Sequence, residues 1–566
     1  MPDQTSSLGI IVEENVPVAM RDGVLLRANV FRPADGCPAP ALLVRTPYGK
    51  GNSGFERYVR AGYVVVWQDC RGRYASDGDF IPFTVEEAAE VEGRDGYDTV
   101  EWLARQPYCN GKVGTMGTSY PAWTQWVLAR QRPPHLVAMC ARSIPQELTT
   151  FDGPGAFRPA RRLHWWINNI APDVRRRHGL PGPHTVDEAL AIWNEVERGH
   201  WIYFLPWLDL PRYLPEGIAE YVDDWLRHPN RQAWRIGDAY RDIAVPNLDV
   251  SGWFDHCNGT MGHLAGMQQD ARTEAARRGS RLIIGPWNHS GLGRRKLGDM
   301  DFGPPAAVDI DDLTIRWFDY WLKGLDNGIG RAPAVEYFVL GADQWKSADT
   351  WPPGGTRDAT YFLSSGGDAG HPTGSGLLTP TPPADEASDR YLYDPRDPVP
   401  TLWSPELFSG APDRRALEYR RDILYYRTPP LTEPVEVVGY PEVILHASSS
   451  APDTDFFAAL VDERPDGPAL QVCSGIVCAR HRHSLQRTDF LTPGEVTEFR
   501  IRLGPTACRF LAGHRIRLEI TSSDFPNYDR NHNVGRNDLA DAELVPAQQT
   551  VFHSRQDCSR LVLSTQ

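Results

Sequence analysis

The sequence predicts an α/β protein with an inserted helical segment and a separate all-β part at its C-terminal end. In residues 1–146 and 244–334, short apolar runs alternate with helical stretches, which is typical of a parallel sheet covered by helices on both faces. Residues 147–243 are rich in Trp, Arg and Pro and show helical patterns without strand signals. Residues 335–566 contain short alternating segments separated by Gly, Pro and Asp, which predicts an antiparallel sandwich or jelly roll.

The first predicted element is a hairpin over residues 9–32, in which Arg21-Asp22-Gly23 joins two alternating runs. An amphipathic helix over 315–328 is the last element before the all-β part, and 365–388 is a low-complexity loop or linker. Between the hairpin and this helix lie the candidate buried strands, 40–46, 62–69, 112–117, 136–142, 245–253 and 281–287.

Composition and charge narrow the classes of function. The 566 residues carry a formal charge of −14, and this acidic balance argues against nucleic acid as a partner. No apolar stretch is long enough for a membrane-spanning helix, so no membrane partner is expected. The N-terminal residues show no basic stretch followed by a long apolar run, so no secretion signal is predicted and a cytoplasmic location is the default.

The cysteines predict free thiols. Nine cysteines are scattered along the chain, and an odd number in a reducing compartment favours unpaired side chains. Cys473 and Cys478 are the only close pair, and without His or Cys partners nearby they make a poor zinc site. No metal site and no cofactor are predicted.

The stretch "GTMGTSYPAWTQW" (114–126) places Ser119 where a strand gives way to a helix. A nucleophilic serine in an α/β hydrolase occupies such a turn, with small residues beside it. The pattern G-x-S-x-G is only partly met, because Pro121 stands where the second glycine is expected. Taken alone the motif is weak, since most serines near glycines belong to ordinary turns.

Two further residues follow later strands. Asp255 comes just after the strand in "NLDVSGWFDHCNG", and His289 comes just after the strand in "RLIIGPWNHSG". Taken singly, each is more often a helix cap or a surface residue. The order Ser119, Asp255, His289 is nevertheless the order of nucleophile, acid and base in α/β hydrolases, and each residue lies at a predicted strand end. Their joint placement predicts a catalytic triad.

With these residues identified, the chain resembles the CocE/NonD, or cocaine-esterase-like, serine hydrolases, which are related to X-Pro dipeptidyl-peptidases and α-amino-acid ester hydrolases. The resemblance implies an α/β-hydrolase fold with an inserted helical cap and a C-terminal jelly roll, and hydrolysis through an acyl-enzyme. It also implies that the hydroxyl of Tyr48 and the backbone N–H of Tyr120 form the oxyanion hole. The stretches that carry it are "RTPYGK" (45–50), "QDCRGRYASDGDF" (68–80), "GTMGTSY" (114–120), "SGWFDH" (251–256), "GPWNHS" (285–290), "APDTDFFAALVD" (451–462) and "TSSDFPNYDRNHNVG" (521–535).

The relatives divide by substrate. The resemblance implies that amino-acid ester hydrolases hold the substrate ammonium with carboxylates two and three residues after the catalytic Asp, where this chain has Cys257 and Asn258. An ammonium without an anionic partner is costly to bury, so α-amino acyl substrates are disfavoured. X-Pro peptidase relatives carry a large extra N-terminal domain, whereas only a short hairpin segment precedes the predicted sheet here. Esters of a hydrophobic, cyclic or aromatic acyl group are therefore the predicted substrates, with amides as a further option.

The acyl pocket is predicted from the stretch 151–169, where Trp166 is a candidate to stack on the acyl group or, equally, a core residue of the cap. His256 and Cys257 follow the catalytic Asp and are expected to reshape the pocket. Two alternatives stay open: acyl transfer to an acceptor other than water, and an inert module whose jelly roll binds carbohydrate. The predicted partner is a small-molecule ester or amide, and whether the chain forms a homodimer is also left open.

Overall fold

The computed structural model describes residues 9–146, 159–229, 236–384, 386–402 and 413–566. Its strands are β1 (Ile10–Ala19), β2 (Leu25–Pro33), β3 (Ala39–Thr46), β4 (Val64–Asp69), β5 (Cys109–Thr118), β6 (Leu136–Arg142), β7 (Leu248–Gly252), β8 (Arg281–Gly285), β9 (Lys296–Leu297), β10 (Met300–Asp301), β11 (Val335–Val339), β12 (Gln344–Ala348), β13 (Arg357–Ser364), β14 (Leu377–Thr379), β15 (Asp389–Tyr393), β16 (Leu424–Arg427), β17 (Val435–Gly439), β18 (Glu442–Ser449), β19 (Asp455–Glu463), β20 (Ala469–Cys478), β21 (Thr497–Arg502), β22 (Thr506–Phe510), β23 (Arg515–Thr521), β24 (Ala547–Val551) and β25 (Arg560–Thr565).

The α-helices are α1 (Glu56–Arg60), α2 (Glu86–Ala104), α3 (Tyr120–Arg130), α4 (Pro159–His164), α5 (Ala171–Arg177), α6 (Val186–Ile192), α7 (Arg198–Ile202), α8 (Ala219–Arg227), α9 (Gly262–Asp270), α10 (Glu274–Gly279) and α11 (Ile310–Lys323). Two π-helical segments span Trp165–Ile170 and Trp193–Glu197. Short 3-10 turns span Trp207–Tyr213, Gly237–Asp242, Asn258–Met261, Pro304–Ala306, Ile329–Arg331, Arg414–Leu417, Ala479–His481 and Asp538–Ala540.

Ten strands form the first sheet within the described residues, in the order β1-β2-β4-β3-β5-β6-β7-β8-β11-β12. The strands from β4 to β11 in this order run parallel to one another, and β1, β2 and β12 pair antiparallel. The carboxyl ends of β3, β5, β6, β7 and β8 therefore lie side by side along one edge. Ligands of open α/β sheets bind at this edge.

Both faces of this sheet are buried. Successive residues of a strand point to opposite faces, and in β3 Leu42 belongs to the core that also contains Trp317 and Phe318 of α11. Leu43, the next residue, belongs to the core on the other face, together with Trp126 of α3. Apolar side chains on both faces explain why the strands appear in the sequence as continuous apolar runs.

The described residues between β6 and β7 form short helices joined by turns and loops, with no β-strand among them. This part of the chain contributes large buried side chains to the core that contains Trp126, among them Trp166, Trp193 and Trp207. The indole N–H of Trp207 also donates a hydrogen bond to the carboxylate of Asp529 in the second part of the chain, at 3.1 Å. This insertion is therefore packed against both the first sheet and the C-terminal unit.

The C-terminal unit is built from β13–β25, which form a second sheet of thirteen strands within the described residues. The start of this unit predicted from the sequence is residue 335, whereas β11 and β12 pair within the first sheet. Val335 pairs in parallel with Leu282 of β8, and β12 folds back antiparallel on β11. In the run "VEYFVL" Glu336 is the one polar residue, and the other residues of β11 are buried, so this short apolar run does not show which sheet it joins.

Among the residues that the structure describes, no helix combines the length and the apolar composition that crossing a membrane requires. None of the nine cysteines forms a disulfide. The cysteine prediction of free thiols is thus consistent with the fold.

Candidate active site

The chain turns sharply at Ser119, between the end of β5 and the start of α3. This residue has φ 64° and ψ −125°, a conformation that is rare for residues other than glycine and that is often stored at functional sites. Gly117 makes the turn possible, because a Cβ at this position would lie 2.5 Å from the Cβ of Pro121. Pro121 is compatible with the first helical turn, where its missing N–H is not needed. The geometry is that of a nucleophile elbow with proline in place of the second glycine.

An acid–base pair lies at the ends of β7 and β8. The Nδ1 atom of His289 lies 3.0 Å from Oδ1 of Asp255, and the Asp255 side chain is fully buried whereas that of His289 is 12% exposed. Burial alone raises the pKa of Asp255, but the charge and hydrogen bond of His289 outweigh it and lower the pKa overall. The ionised carboxylate therefore accepts a hydrogen bond from Nδ1–H, which leaves Nε2 as the nitrogen that can accept a proton.

Backbone contacts hold the loops after β7 and β8 together. The N–H of Trp253 donates to the carbonyl of Gly285, and the N–H of Phe254 donates to the carbonyl of Trp287, each at 3.0 Å. Gly252 allows this approach, since a Cβ there would lie 2.1 Å from the carbonyl oxygen of Trp287. These contacts fix the separation of the acid and the base, because each belongs to one of the two loops.

Several donors position the carboxylate of Asp255. The backbone N–H of Cys257 donates to Oδ1 at 2.7 Å, and the hydroxyl of Ser251 lies 3.5 Å from Oδ2. The nearby Ser143 side chain also helps to lower the pKa of Asp255, while its hydroxyl donates to the carbonyl of Val250 at 3.5 Å. Hydrogen bonds to the ionised form keep the carboxylate charged and limit its rotation.

Ser143 also connects the acid to the nucleophile turn. It follows β6 directly, has φ 50°, and its N–H donates to the carbonyl of Val250 at 3.0 Å. The preceding residue, Arg142, accepts a hydrogen bond from the N–H of Ser119 at 2.9 Å. β6 therefore links the nucleophile turn to Asp255. Sequence reasoning missed Ser143, although it stands at the end of a predicted strand as Ser119 does.

Tyr48 lies in the loop after β3. Its hydroxyl oxygen accepts a hydrogen bond from Nε1–H of Trp165 at 3.0 Å. Burial raises the pKa of Tyr48. The hydrogen bond from Trp165 and the charge of Arg73 lower it by less, so the pKa lies above its usual value. The hydroxyl of Tyr48 therefore stays protonated at neutral pH. Because the hydrogen bond from Trp165 uses only a lone pair of the oxygen, the hydroxyl hydrogen can be donated to another acceptor.

Tyr120 is the first residue of α3. A backbone N–H in the first turn of a helix has no acceptor within that helix, so the N–H of Tyr120 is available to a bound group. The side chain is buried and its ring lies nearly parallel to that of Trp165, with 6.2 Å between the ring centres. Its ring also meets that of Tyr48 edge-on at 6.3 Å. The two predicted oxyanion residues are thus neighbours.

The loop that carries Tyr48 is held by buried charges. Nε of Arg73 donates to the carbonyl of Pro47 at 2.8 Å, and the same guanidinium donates to the carbonyls of residues 169 and 170 at 3.1 and 3.2 Å. Lys50 binds Asp69 through both its backbone N–H and its ammonium, each at 2.7 Å. Arg73 therefore ties the loop to the helical insertion. Its role was not predicted, because its partners lie about a hundred residues away in sequence.

Two consecutive tryptophans of the insertion lie in different environments. Trp166 is fully buried in the core and exposes no surface on which a substrate can stack. Trp165 is only partly buried, lies beside Tyr48, and packs on Phe83 with 4.9 Å between ring centres. The structure thus brings Trp165 rather than Trp166 to the candidate site. The predicted pocket stretch 151–158 lies outside the described residues.

His256 and Cys257 are buried beside the acid–base pair. The rings of His256 and His289 lie 4.2 Å apart between centres, and Nδ1 of His256 lies 3.6 Å from Oδ1 of Asp255. One ligand atom from each of Asp255, His256, Cys257 and His289 lies within 4.8 Å of the other three. Within the described residues this is the group of side chains with the composition and spacing to hold a metal ion.

Comparison with known proteins identifies the family. Residues 22–291 match the model of the X-Pro dipeptidyl-peptidase S15 family, and residues 327–562 match that of the X-Pro dipeptidyl-peptidase C-terminal non-catalytic domain. The chain is 37% identical over 555 residues to the cocaine esterase of Rhodococcus sp. strain MB1 Bresler, with 93% of each chain covered.

Solved structures share the fold along the whole chain. An α-amino acid ester hydrolase superposes with a TM-score of 0.76 at 24% identity, covering 100% of this chain and 98% of the other. A CocE/NonD family hydrolase of Staphylococcus aureus superposes with a TM-score of 0.68 at 19% identity, covering 98% of this chain and 94% of the other. The chain therefore belongs to the CocE/NonD family of serine hydrolases, with an α/β-hydrolase-type fold followed by a C-terminal non-catalytic domain.

Proposed function

We propose that the protein hydrolyses carboxylic esters, with Ser119 as nucleophile, His289 as general base and Asp255 as the group that orients the base. The observation that carries this proposal is the 3.0 Å contact between His289 Nδ1 and the buried Asp255 carboxylate, on the same sheet edge as the strained turn at Ser119. The name of the Rhodococcus relative, an esterase, supports an ester as substrate.

In the proposed reaction, Oγ of Ser119 attacks the carbonyl carbon while Nε2 of His289 takes the hydroxyl proton. Asp255 stabilises the resulting imidazolium through the Nδ1 contact. The tetrahedral intermediate collapses when the C–O bond to the alkoxide breaks and His289 returns the proton to the leaving group. Water, activated by the same imidazole, then hydrolyses the acyl-enzyme.

Charge develops on the carbonyl oxygen during both steps. We assign its stabilisation to the hydroxyl of Tyr48 and the backbone N–H of Tyr120. The hydrogen bond from Trp165 to Tyr48 supports this role, because it orients the hydroxyl without using its hydrogen. Donors aimed at a developing oxyanion in a water-poor site are each worth about 10²–10³ in kcat.

The acyl group is proposed to be hydrophobic and cyclic or aromatic. Trp165 is only partly buried and packs on Phe83 and Tyr120 close to Tyr48, and its flat apolar ring favours a ring in the substrate. The stacking role first considered for Trp166 passes to Trp165. Cys257 and Asn258, two and three residues after Asp255, supply no carboxylate for an ammonium, which favours esters of this kind over α-amino acyl esters.

The domain architecture, the cellular location and the partners are proposals as well. We infer that the helical insertion acts as a cap over the sheet edge and that β13–β25 form a jelly roll. The division into residues 1–146, 147–243 and 244–334 is retained, with the boundary of the β unit moved beyond β12. A cytoplasmic location and the absence of a nucleic-acid partner rest on composition alone, and a homodimer remains open.

Covalent labelling tests the nucleophile. The wild-type protein is treated with a fluorophosphonate probe, and the modified peptide is identified by mass spectrometry. We expect one label, at Ser119, and its loss in Ser119→Ala. Ser347→Ala, which changes an exposed serine on β12, serves as the matched control and should label as the wild type does. A folded wild-type protein that takes no label would favour the inert binding module instead.

A further inference from the structure

The sequence predicts no metal site, yet the acid–base pair belongs to a larger cluster of metal-ligating side chains. Asp255, His256, Cys257 and His289 each offer one ligand atom, and these four atoms lie within 4.8 Å of one another. Two of the separations are shorter still. Oδ1 of Asp255 lies 3.0 Å from Nδ1 of His289 and 3.6 Å from Nδ1 of His256.

The donor set matches a borderline divalent cation such as Zn²⁺. Thiolate, imidazole and carboxylate are the three ligand types of protein zinc sites, usually four to an ion in a tetrahedron. Zn–N and Zn–S bonds of about 2.0–2.3 Å place neighbouring ligand atoms roughly 3.3–3.8 Å apart. The two shorter separations lie near this range, and the remaining ones, at most 4.8 Å, have to shorten toward it to complete the shell.

Burial favours the same conclusion. The side chains of Asp255 and His256 are 0% and 6% exposed, and that of His289 is 12% exposed. Cys257 is buried as well. Ligands held in a dry environment interact strongly with a cation, and the partly exposed ring of His289 gives the ion a path from solvent.

We propose that these four side chains form an inhibitory site for zinc-class divalent cations, in which the metal replaces the contact between His289 and Asp255. The S–H bond of Cys257 breaks, an S–metal bond forms and the proton leaves to solvent. Each imidazole binds through a nitrogen lone pair. The metal on Nδ1 of His289 moves the ring proton to Nε2, so that the ring no longer accepts the proton of Ser119. Metal is thus an inhibitor of this enzyme and takes no part in its reaction.

The inhibitory effect rests on the proposed role of His289, but metal binding does not, so the two are measured separately. Protein stripped with a chelator and dialysed is titrated with ZnCl₂ by calorimetry, and with CoCl₂ by absorption, where a thiolate ligand gives charge-transfer bands in the near ultraviolet. We expect one ion per chain, thiolate bands with Co²⁺, and binding that tightens as the pH rises because a proton is released. Ser119→Ala should bind the metal as the wild type does.

Variants locate the site. Cys257→Ser and His256→Gln should each weaken Zn²⁺ binding by at least about ten-fold, and Cys257→Ser should lose the Co²⁺–thiolate bands. Cys37→Ser, which changes an exposed thiol, is the matched control and should behave as the wild type. Inhibition of ester hydrolysis is compared with each variant's own metal-free rate, and chelator should restore that rate.

Three results would overturn the proposal. The first is a wild type that takes up no stoichiometric Zn²⁺. The second is that Cys257→Ser and His256→Gln, shown by circular dichroism to be folded, bind Zn²⁺ as tightly as the wild type. The third is a metal-loaded wild type that hydrolyses esters at its metal-free rate, which removes the inhibitory role. Failure of Ser119→Ala to lose turnover would instead contradict the proposed function and leave the binding result intact.

Discussion

The indole N–H of Trp165 donates a hydrogen bond to the hydroxyl oxygen of Tyr48, with 3.0 Å between the two atoms. The partners come from different parts of the fold, because Tyr48 follows β3 and Trp165 begins a π-helical segment of the insertion. The insertion therefore helps to orient a hydroxyl that we assign to the oxyanion hole. A change on the insertion side of this contact is expected to alter the rate of the chemical step.

Replacing Tyr48 with phenylalanine tests the hydroxyl itself. Tyr48→Phe removes one proposed oxyanion donor, so kcat should fall by about 10²–10³ with a smaller change in KM. Steady-state kinetics with a short-chain ester measure both constants, and Tyr361→Phe on β13 is the matched control. A rise in KM at constant kcat would make Tyr48 a substrate-binding residue.

Replacing Trp165 with phenylalanine tests the orienting contact. Trp165→Phe keeps an aromatic ring but removes the N–H, and a hydrogen bond of about 1 kcal/mol corresponds to roughly a five-fold loss of kcat. In the Tyr48→Phe background the same change should lower kcat by less than about two-fold, because no hydroxyl remains to be oriented. Trp102→Phe on α2 is the control. Equal effects in both backgrounds would show that Trp165 acts independently of Tyr48.

The candidate site residues could be predicted mainly from their positions at the ends of predicted strands. Short apolar runs located β5, β7 and β8, and the carboxyl ends of parallel strands share one edge. The polar residue after each run was therefore a candidate, and Asp255 and His289 are indeed in contact. Their catalytic roles, like that of Ser119, stay predictions until they are measured.

Contacts across long sequence separations were beyond sequence reasoning. A pattern of apolar residues does not tell which of Trp165 and Trp166 is buried, and the π-helical segment that they begin changes the phase of the helix. The partners of Arg73 lie in a distant insertion. The sequence did not show that β11 pairs with β8, because a short apolar run is compatible with a strand of either sheet.

Asp249 on β7 predicts a pH dependence of stability. Burial raises the pKa of this carboxyl well above its usual value, outweighing the neighbouring Asn247 side chain, which lowers it. In the unfolded chain the group ionises near its ordinary pKa of about 3.9. Between the unfolded and the native pKa, the native state keeps a proton that the unfolded state has lost. The contribution of Asp249 to the free energy of unfolding is therefore complete below the unfolded pKa and is lost as the pH rises through the native pKa.

Asp249→Asn cannot ionise and should therefore be more stable than the wild type at pH 8, with a smaller difference at pH 5. Each unit by which the native pKa exceeds the unfolded one corresponds to about 1.4 kcal/mol. Thermal unfolding of both proteins between pH 5 and pH 8.5 measures the difference. Asp358→Asn, at an exposed position, controls for the loss of one charge. A difference in melting temperature that is constant with pH would contradict the account.

The proposed acyl preference distinguishes ester hydrolysis of this kind from hydrolysis of α-amino acyl esters. Phenyl phenylacetate and the phenyl ester of phenylglycine carry the same ring on the same α-carbon, and only the second ester has an ammonium there. Apolar contact with the ring is common to both esters, but the ammonium must lose its hydration although neither Cys257 nor Asn258 offers it a carboxylate. The phenylacetate should therefore be favoured in kcat/KM by about 1–3 kcal/mol, roughly ten- to two-hundred-fold.

A variant of Trp165 tests whether this residue contacts the acyl ring of the ester. Trp165→Ala removes the flat surface beside Tyr48 and should lower kcat/KM for phenyl benzoate more than for phenyl acetate, because the acetate has no ring to lose contact. The loss of the hydrogen bond to Tyr48 affects both esters alike, so the ratio of the two constants isolates the stacking contribution. An unchanged ratio would place the acyl ring elsewhere. A wild-type enzyme that prefers the phenylglycine ester would require an anionic subsite and would replace this substrate class with α-amino acyl esters.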